Sequence, residues 1–275
     1  MWNSGVLILV LLLCCNCKIA GQVRDTTPSK LNNNKGIAIG VSDAQLIDRL
    51  LTVVPKVGTD SREMFMERTV KSYMMPARNT GNEGNSLAYA ITNCLEYYLN
   101  LNNNFKDNLS PDYIYLNTNT VQKKATADEM LTFTVITGTV SAAIMPYYSK
   151  NIPLGANAVS KVKAQNYLHV FYETAKTSYK LFEIRKALTR GHPVIVEMEI
   201  SKGFRTIKDS RYWQPELEDN TPDGRHYLIV VGFDEQRRAV EILNCWGIEW
   251  GNDGYLWINY DDFGKYSKHG YVIVP

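Results

Sequence analysis

Two apolar runs joined by four polar residues constrain this chain more than any other feature. The first, Tyr227-Leu228-Ile229-Val230-Val231-Gly232-Phe233-Asp234, and the second, Ala239-Val240-Glu241-Ile242-Leu243, flank Glu235-Gln236-Arg237-Arg238. Runs of this kind, rich in Val, Ile and Leu with a short polar connection, pair as an antiparallel hairpin. A turn centred near residue 235 or 236 brings His226, at the head of the first strand, beside Asn244, at the end of the second. Pairing alone thus makes an imidazole and a side-chain amide neighbours, give or take a slipped register. An amide oxygen there fixes the imidazole's tautomer and orientation, the part a third group plays beside a nucleophile and its base.

With 275 residues, 45% of them hydrophobic and 21% charged, the chain can bury a substantial core in one large domain or two modest lobes. Lys+Arg 30 against Asp+Glu 28 leaves a formal net charge of +2 without long basic runs, so nothing points to a nucleic-acid partner. Gly5 to Cys15 is an uninterrupted apolar run, long enough for the core of a signal peptide and short for a bilayer span. Ala20 and Gly21 follow as small residues suited to cleavage, so residues 1–21 are expected to be a signal peptide and the protein exported: periplasmic, cell-surface or secreted. The basic residue usual before such a run is missing from Met1-Trp2-Asn3-Ser4; a lipid anchor on Cys14, Cys15 or Cys17 and a buried strand are the alternatives. Cleavage leaves Cys94 and Cys245, expected as unpaired thiols. No membrane span, metal site or cofactor is expected, since no His/Cys cluster has zinc spacing.

Residues 22–68 read as a polar linker followed by a short amphipathic helix, in which Ser42 stands before Asp43 and Leu46, Ile47, Leu50 and Leu51 share a face. Whether this stretch is a removable pro-segment or a permanent extension stays open, as does the oligomeric state. A longer helix is expected from about residue 85 to 101, with Leu87, Ile91, Cys94, Leu95, Tyr98 and Leu101 at helical spacing. Gly81 and Gly84 break the chain ahead of it, so Ser86 falls at a helix N-terminus, where unpaired N–H groups favour negative charge. A further helix is expected near 125–137. Beyond residue 165 the texture turns to strands, with one more helix near 179–189. The expectation is an α+β chain: a helical lobe over 69–163 and an antiparallel, barrel-like β lobe over 164–275, with a cleft between them.

Asn244-Cys245-Trp246-Gly247-Ile248-Glu249-Trp250-Gly251-Asn252-Asp253-Gly254-Tyr255 resembles the C-terminal pattern of papain-family cysteine peptidases, Asn-Ser-Trp-Gly-x-x-Trp-Gly-x-x-Gly-Tyr, at every position except Cys245. Asn79 to Ala90 is similar to the family's Gln-Gly-x-x-Gly-Ser-Cys-x-Ala-aromatic-Ala segment, with the glycines, Ala88, Tyr89 and Ala90 in register. Leu109-Ser110-Pro111-Asp112-Tyr113 and the stretch from Gly138 to Tyr147 extend the likeness, which runs from about Val70 to the C-terminus. The resemblance implies a papain-like two-lobe fold, a peptide or protein partner in the cleft, and His226, Asn244 and Trp246 as base, orienting amide and shield of their hydrogen bond.

Two departures fall on the chemistry. Ser86 stands where the family has its nucleophilic cysteine, and Thr80 where it has the oxyanion-hole glutamine. A thiol, with an ordinary pKa of about 8.5, becomes a thiolate beside a histidine and a helix N-terminus, whereas a serine hydroxyl does not. Loss of one oxyanion donor costs on the order of 10² to 10³ in rate. Asn79, Asn82 and Asn85 are candidate replacement donors, and Glu83 would oppose a developing oxyanion. The leading expectation is a peptidase homologue without ordinary cysteine-peptidase activity that keeps a peptide-binding groove. A working Ser86-His226-Asn244 triad is the alternative. Reading Gly84-Asn85-Ser86-Leu87-Ala88 as a nucleophile elbow of another hydrolase class leaves the Trp-Gly pattern unexplained. A structural export module is the remaining alternative. His169, His192 and His269 are expected to be structural or solvated, and Arg205, Arg211, Trp213 and Asp223 fall in the loop region ahead of His226.

Overall fold

A computed structural model describes residues 37–55, 57, 66–81, 85–103 and 106–275. The proposed signal peptide, the three cysteines near it and the polar linker lie outside those residues, as do Asn82, Glu83 and Gly84. The chain divides into Met1–Ile37, of which only Ile37 is described, and a compact unit Ala38–Pro275.

Helices come first. Helix α1 is Ala44–Leu50, capped by Asp43, whose carboxylate accepts the N–H groups of Gln45 and Leu46 at 3.0 Å. Asp43 rather than Ser42 is the cap because its side-chain oxygen reaches two orphan donors of the first turn. After the short strand β1 (Glu67–Thr69), helix α2 (Ser86–Asn102) runs buried from Ser86 to Tyr98. Helix α3 (Pro111–Thr118) starts from Ser110, and α4 (Ala127–Ile136) from a capping box between Thr126 and Glu129.

The sheet follows: β2 (Asn166–Phe171), helix α5 (Thr177–Thr189), β3 (Val194–Ser201), the one-turn helix α6 (Lys202–Arg205), β4 (Pro222–Asp234), β5 (Ala239–Leu243), β6 (Tyr255–Asn259), helix α7 (Tyr260–Tyr266) and β7 (Ser267–Val274). Strand order is β2-β7-β3-β4-β5-β6, antiparallel throughout, with β1 also on β4. The fold is therefore α+β, but the sheet does not close into the expected barrel. Its two edges are covered by separate segments: Val41 bridges Leu168 on β2, and Arg211 to Trp213 hydrogen-bond Trp257 on β6. Each contact takes backbone groups in the middle of its edge that joining the two edges would need. Among the described residues no helix is long and apolar enough to cross a membrane.

Candidate active site

Strands β4 and β5 pair with Ile229 opposite Leu243 and Val230 opposite Ile242, then slip by one residue before Gly232. Extended past Leu243, the first register sets His226 across from Trp246 and diagonal to Asn244. Both neighbours are used. The His226 and Trp246 rings lie 4.2 Å apart between centroids at 32°, and His226 Nε2 is 2.7 Å from Asn244 Oδ1. Asn244 Oδ1 also accepts the Cys245 N–H at 2.7 Å, while the Asn244 N–H donates to the Gly254 carbonyl at 2.9 Å. An acceptor held in this way assigns the proton to Nε2 and leaves Nδ1 with its lone pair. Gly254 is required there: its φ is +84°, and a Cβ would stand 2.1 Å from that of Ala77.

Burial lowers the His226 pKa from 6.5 to about 4, against the Asn244 hydrogen bond and with the positive charge of Arg205 adding to the effect. The imidazole is thus neutral at neutral pH. It can take up a proton, but it is no standing imidazolium partner for an anion.

Ser86 opens α2, the N-cap Asn85 making no side-chain capping bond to the first turn. Ser86 Oγ accepts the N–H of Tyr227, the residue after His226, at 3.2 Å. Among the described residues no hydrogen bond joins Ser86 Oγ to the imidazole. Beside Ser86 opens a cleft of about 680 Å³ between the start of α4 and the sheet, lined among others by Tyr227, Glu197, His169 and His269.

The loop ahead of α2 is stitched to the Asn244 strand. Thr80 N–H donates to the Cys245 carbonyl at 2.8 Å and Gly247 N–H to the Arg78 carbonyl at 2.9 Å. Arg78 in turn reaches Glu96 on α2 at 2.6 Å. Thr80 is buried; its hydroxyl donates to the Gly81 carbonyl, and its side chain lies against the Cys245 thiol. Asn79 Oδ1 accepts the Gly81 N–H at 2.8 Å, and Asn85 Nδ2 donates to Asp112 at 3.2 Å. Of the candidate replacement donors, Asn85 therefore spends an amide N–H on Asp112, Asn79 is bonded through its oxygen, and Asn82 lies outside the described residues. Cys245 Sγ is 3.8 Å from His226 Nε2, yet burial pushes its thiol pKa up to about 12. It stays protonated, and the ring nitrogen it approaches is the one whose proton goes to Asn244.

Residues 61–273 match the family model described as papain family cysteine protease. The chain belongs to the papain family. A tomato (Solanum lycopersicum) cysteine proteinase 3 is 34% identical over 77 residues, 27% of this chain and 22% of that protein. The cathepsin B-like CP3 of Giardia intestinalis is 28% identical over 133 residues, 45% and 42% of the two chains. The chain thus spans less than half the length of these curated relatives. Among solved structures, xylellain, a cysteine protease from Xylella fastidiosa, superposes with a TM-score of 0.61 at 17% identity, covering 78% of this chain and 89% of that one. A digestive procathepsin L 3 of Tenebrio molitor larval midgut gives 0.62 at 16% identity, covering 84% and 78%. A Carica candamarcensis cysteine protease solved with E-64 gives 0.59 at 17%, covering 76% and 98%.

Two neighbours of this papain-family site escape sequence reasoning, and a third is legible there only as a residue of the loop region ahead of His226. Tyr227 acts through its backbone amide, which no side-chain pattern advertises. Cys245 is visible only as a mismatch in the family pattern. Arg205 comes to the site through space, its guanidinium 4.8 Å from the Trp246 ring centroid. The other histidines stand apart from the His226–Asn244 pair: His192 bonds Tyr98 Oη at 2.8 Å and the Thr52 carbonyl at 2.6 Å, and His169 bonds His269 at 3.0 Å in the cleft wall. Among the described residues no group of His, Cys, Asp and Glu could hold a metal ion.

Proposed function

We propose that this papain-family peptidase homologue lacks ordinary cysteine-peptidase activity and uses its cleft to bind peptide or protein segments. The reading is carried by Ser86, a hydroxyl that accepts a backbone N–H where the family chemistry needs a thiolate. A buried, neutral His226 and a Thr80 turned to Gly81 and Cys245 support it, since neither an ion pair nor a glutamine-like donor is supplied. Residues 69–163 and 164–275 are read as the two lobes bounding the cleft. Export rests on the Gly5–Cys15 run.

The second reading, hydrolysis by Ser86, His226 and Asn244, is favoured by one observation. The His226–Asn244 bond keeps Nδ1 free as a base. Turnover separates the two: the purified protein should leave denatured casein and fluorogenic peptide substrates intact. Sustained hydrolysis that disappears in Ser86→Ala would establish the second reading instead.

A further inference from the structure

Arg205 closes α6, and its guanidinium lies over the indole of Trp246, whose ring also stacks on His226. Its Nε donates to Asp223 Oδ2 at 2.5 Å, which orients the plane of the group. Among the described residues no other hydrogen bond of Arg205 is present, and about half of its side chain is exposed (51%). Stacking and the Nε bond together fix the plane of the fork and leave its terminal Nη edge without a hydrogen-bond partner among the described residues, on a side chain that is half exposed. A guanidinium immobilised in this way has already lost the freedom that a flexible cation gives up on binding. Its exposed edge matches the two oxygens of a carboxylate. Asp223 does not compete for that edge, because it holds the Nε side. Neither Arg205 nor Trp246 lines the cleft beside Ser86, so the two features offer separate points of recognition.

We propose that Arg205, stacked on Trp246 and oriented by Asp223, recognises a carboxylate of the bound peptide where it runs past the Ser86 cleft to Trp246, so that the protein takes acidic or C-terminal segments. This inference rests on the peptide-binding reading and names the chemistry of its ligand. A free C-terminus and an Asp or Glu side chain present the same group.

The test uses immobilised full-length protein and three pools of random hexapeptides, with retained peptides quantified by mass spectrometry. The first pool lacks Asp and Glu and ends in a free carboxylate. The second is the same pool amidated, and the third is amidated with one fixed internal Glu. Retention of the first or third pool should exceed that of the second by about tenfold, what one charge-assisted hydrogen bond supplies. Whichever pool is retained identifies the source of the carboxylate. Arg205→Gln should bring that pool down to the second, and Arg205→Lys, which keeps the charge and loses the fork, should recover only part of the difference. Equal retention of all three pools by the unaltered protein overturns the proposal alone. Retention of none overturns the peptide-groove reading and the proposal with it.

Discussion

The side chains at and around the site act through their surroundings. His226 is buried among Trp246, Asn244 and Cys245, so its imidazole should titrate near pH 4 rather than 6.5 when followed by NMR. A titration at 6.5 would mean that water reaches the ring. Asn244→Ala removes the acceptor for Nε2–H and should lower that pKa further, because the bond to Asn244 favours the protonated ring. Cys94 and Cys245 are both buried with thiol pKa values raised by burial, so iodoacetamide should modify neither until the protein is denatured. At this scale the sequence was informative about partners and silent about state. The hairpin made His226 and Asn244 neighbours, but the neutral ring depends on burial contributed by residues far away along the chain. The register of Ile229 opposite Leu243 sets Asn244 diagonal to His226, within the slip that the hairpin reading allows.

Among the elements, the loop at residues 78–81 and the segment before β1 do the positioning. Arg78 ties the loop to α2 through Glu96, whose carboxyl burial raises to about 7 while Arg78 and the Leu109 N–H pull it back. Arg78→Ala leaves that carboxyl buried without its cation and should cost about 3–5 kcal/mol in chemical unfolding. Residues 38–55 and Val57 pack as a brace. Ile47, Leu51, Val54 and Val57 are buried, Val54 N–H donates to the Arg190 carbonyl at 2.8 Å, and His192 bonds the Thr52 carbonyl. Gly191, at φ +85°, would place a Cβ 3.1 Å from that of Val54 and 3.2 Å from that of Val57. Gly191→Ala should therefore destabilise by about 1–3 kcal/mol, through strain and displacement of the brace together. A loss within a few tenths of a kcal/mol would show that the segment is only loosely held. Apolar spacing made α1, α2, α4 and α5 legible. Helices α3 and α7 were not; their caps, Ser110 and Asn259, were the available signals.

Across the whole molecule, buried titratable groups set a sign for the pH dependence of stability. Burial lowers His169, His192 and His226 from 6.5 to about 4, so the unfolded chain binds protons there that the folded chain refuses. Their contribution is complete above about pH 6.5 and is lost as the pH falls toward 4. Glu96, raised from 4.5 to about 7, and Glu218, also raised by burial, work the other way, two groups against three. The urea midpoint should therefore be lower at pH 4.5 than at pH 7, and a flat profile would contradict burial of the imidazoles. The α+β class followed from the order of helical and alternating patterns. Closure did not, because the segments that cover β2 and β6 carry no strand pattern of their own. The central proposal, that this papain-family frame holds no cysteine-type nucleophile and no working serine in its place, is tested most directly by covalent labelling. The natural protein should react neither with a thiol-directed epoxysuccinyl probe nor with a serine-directed fluorophosphonate, and Ser86→Cys should gain at most the first reaction. Fluorophosphonate labelling of the natural protein that vanishes in both Ser86→Ala and His226→Ala would contradict it.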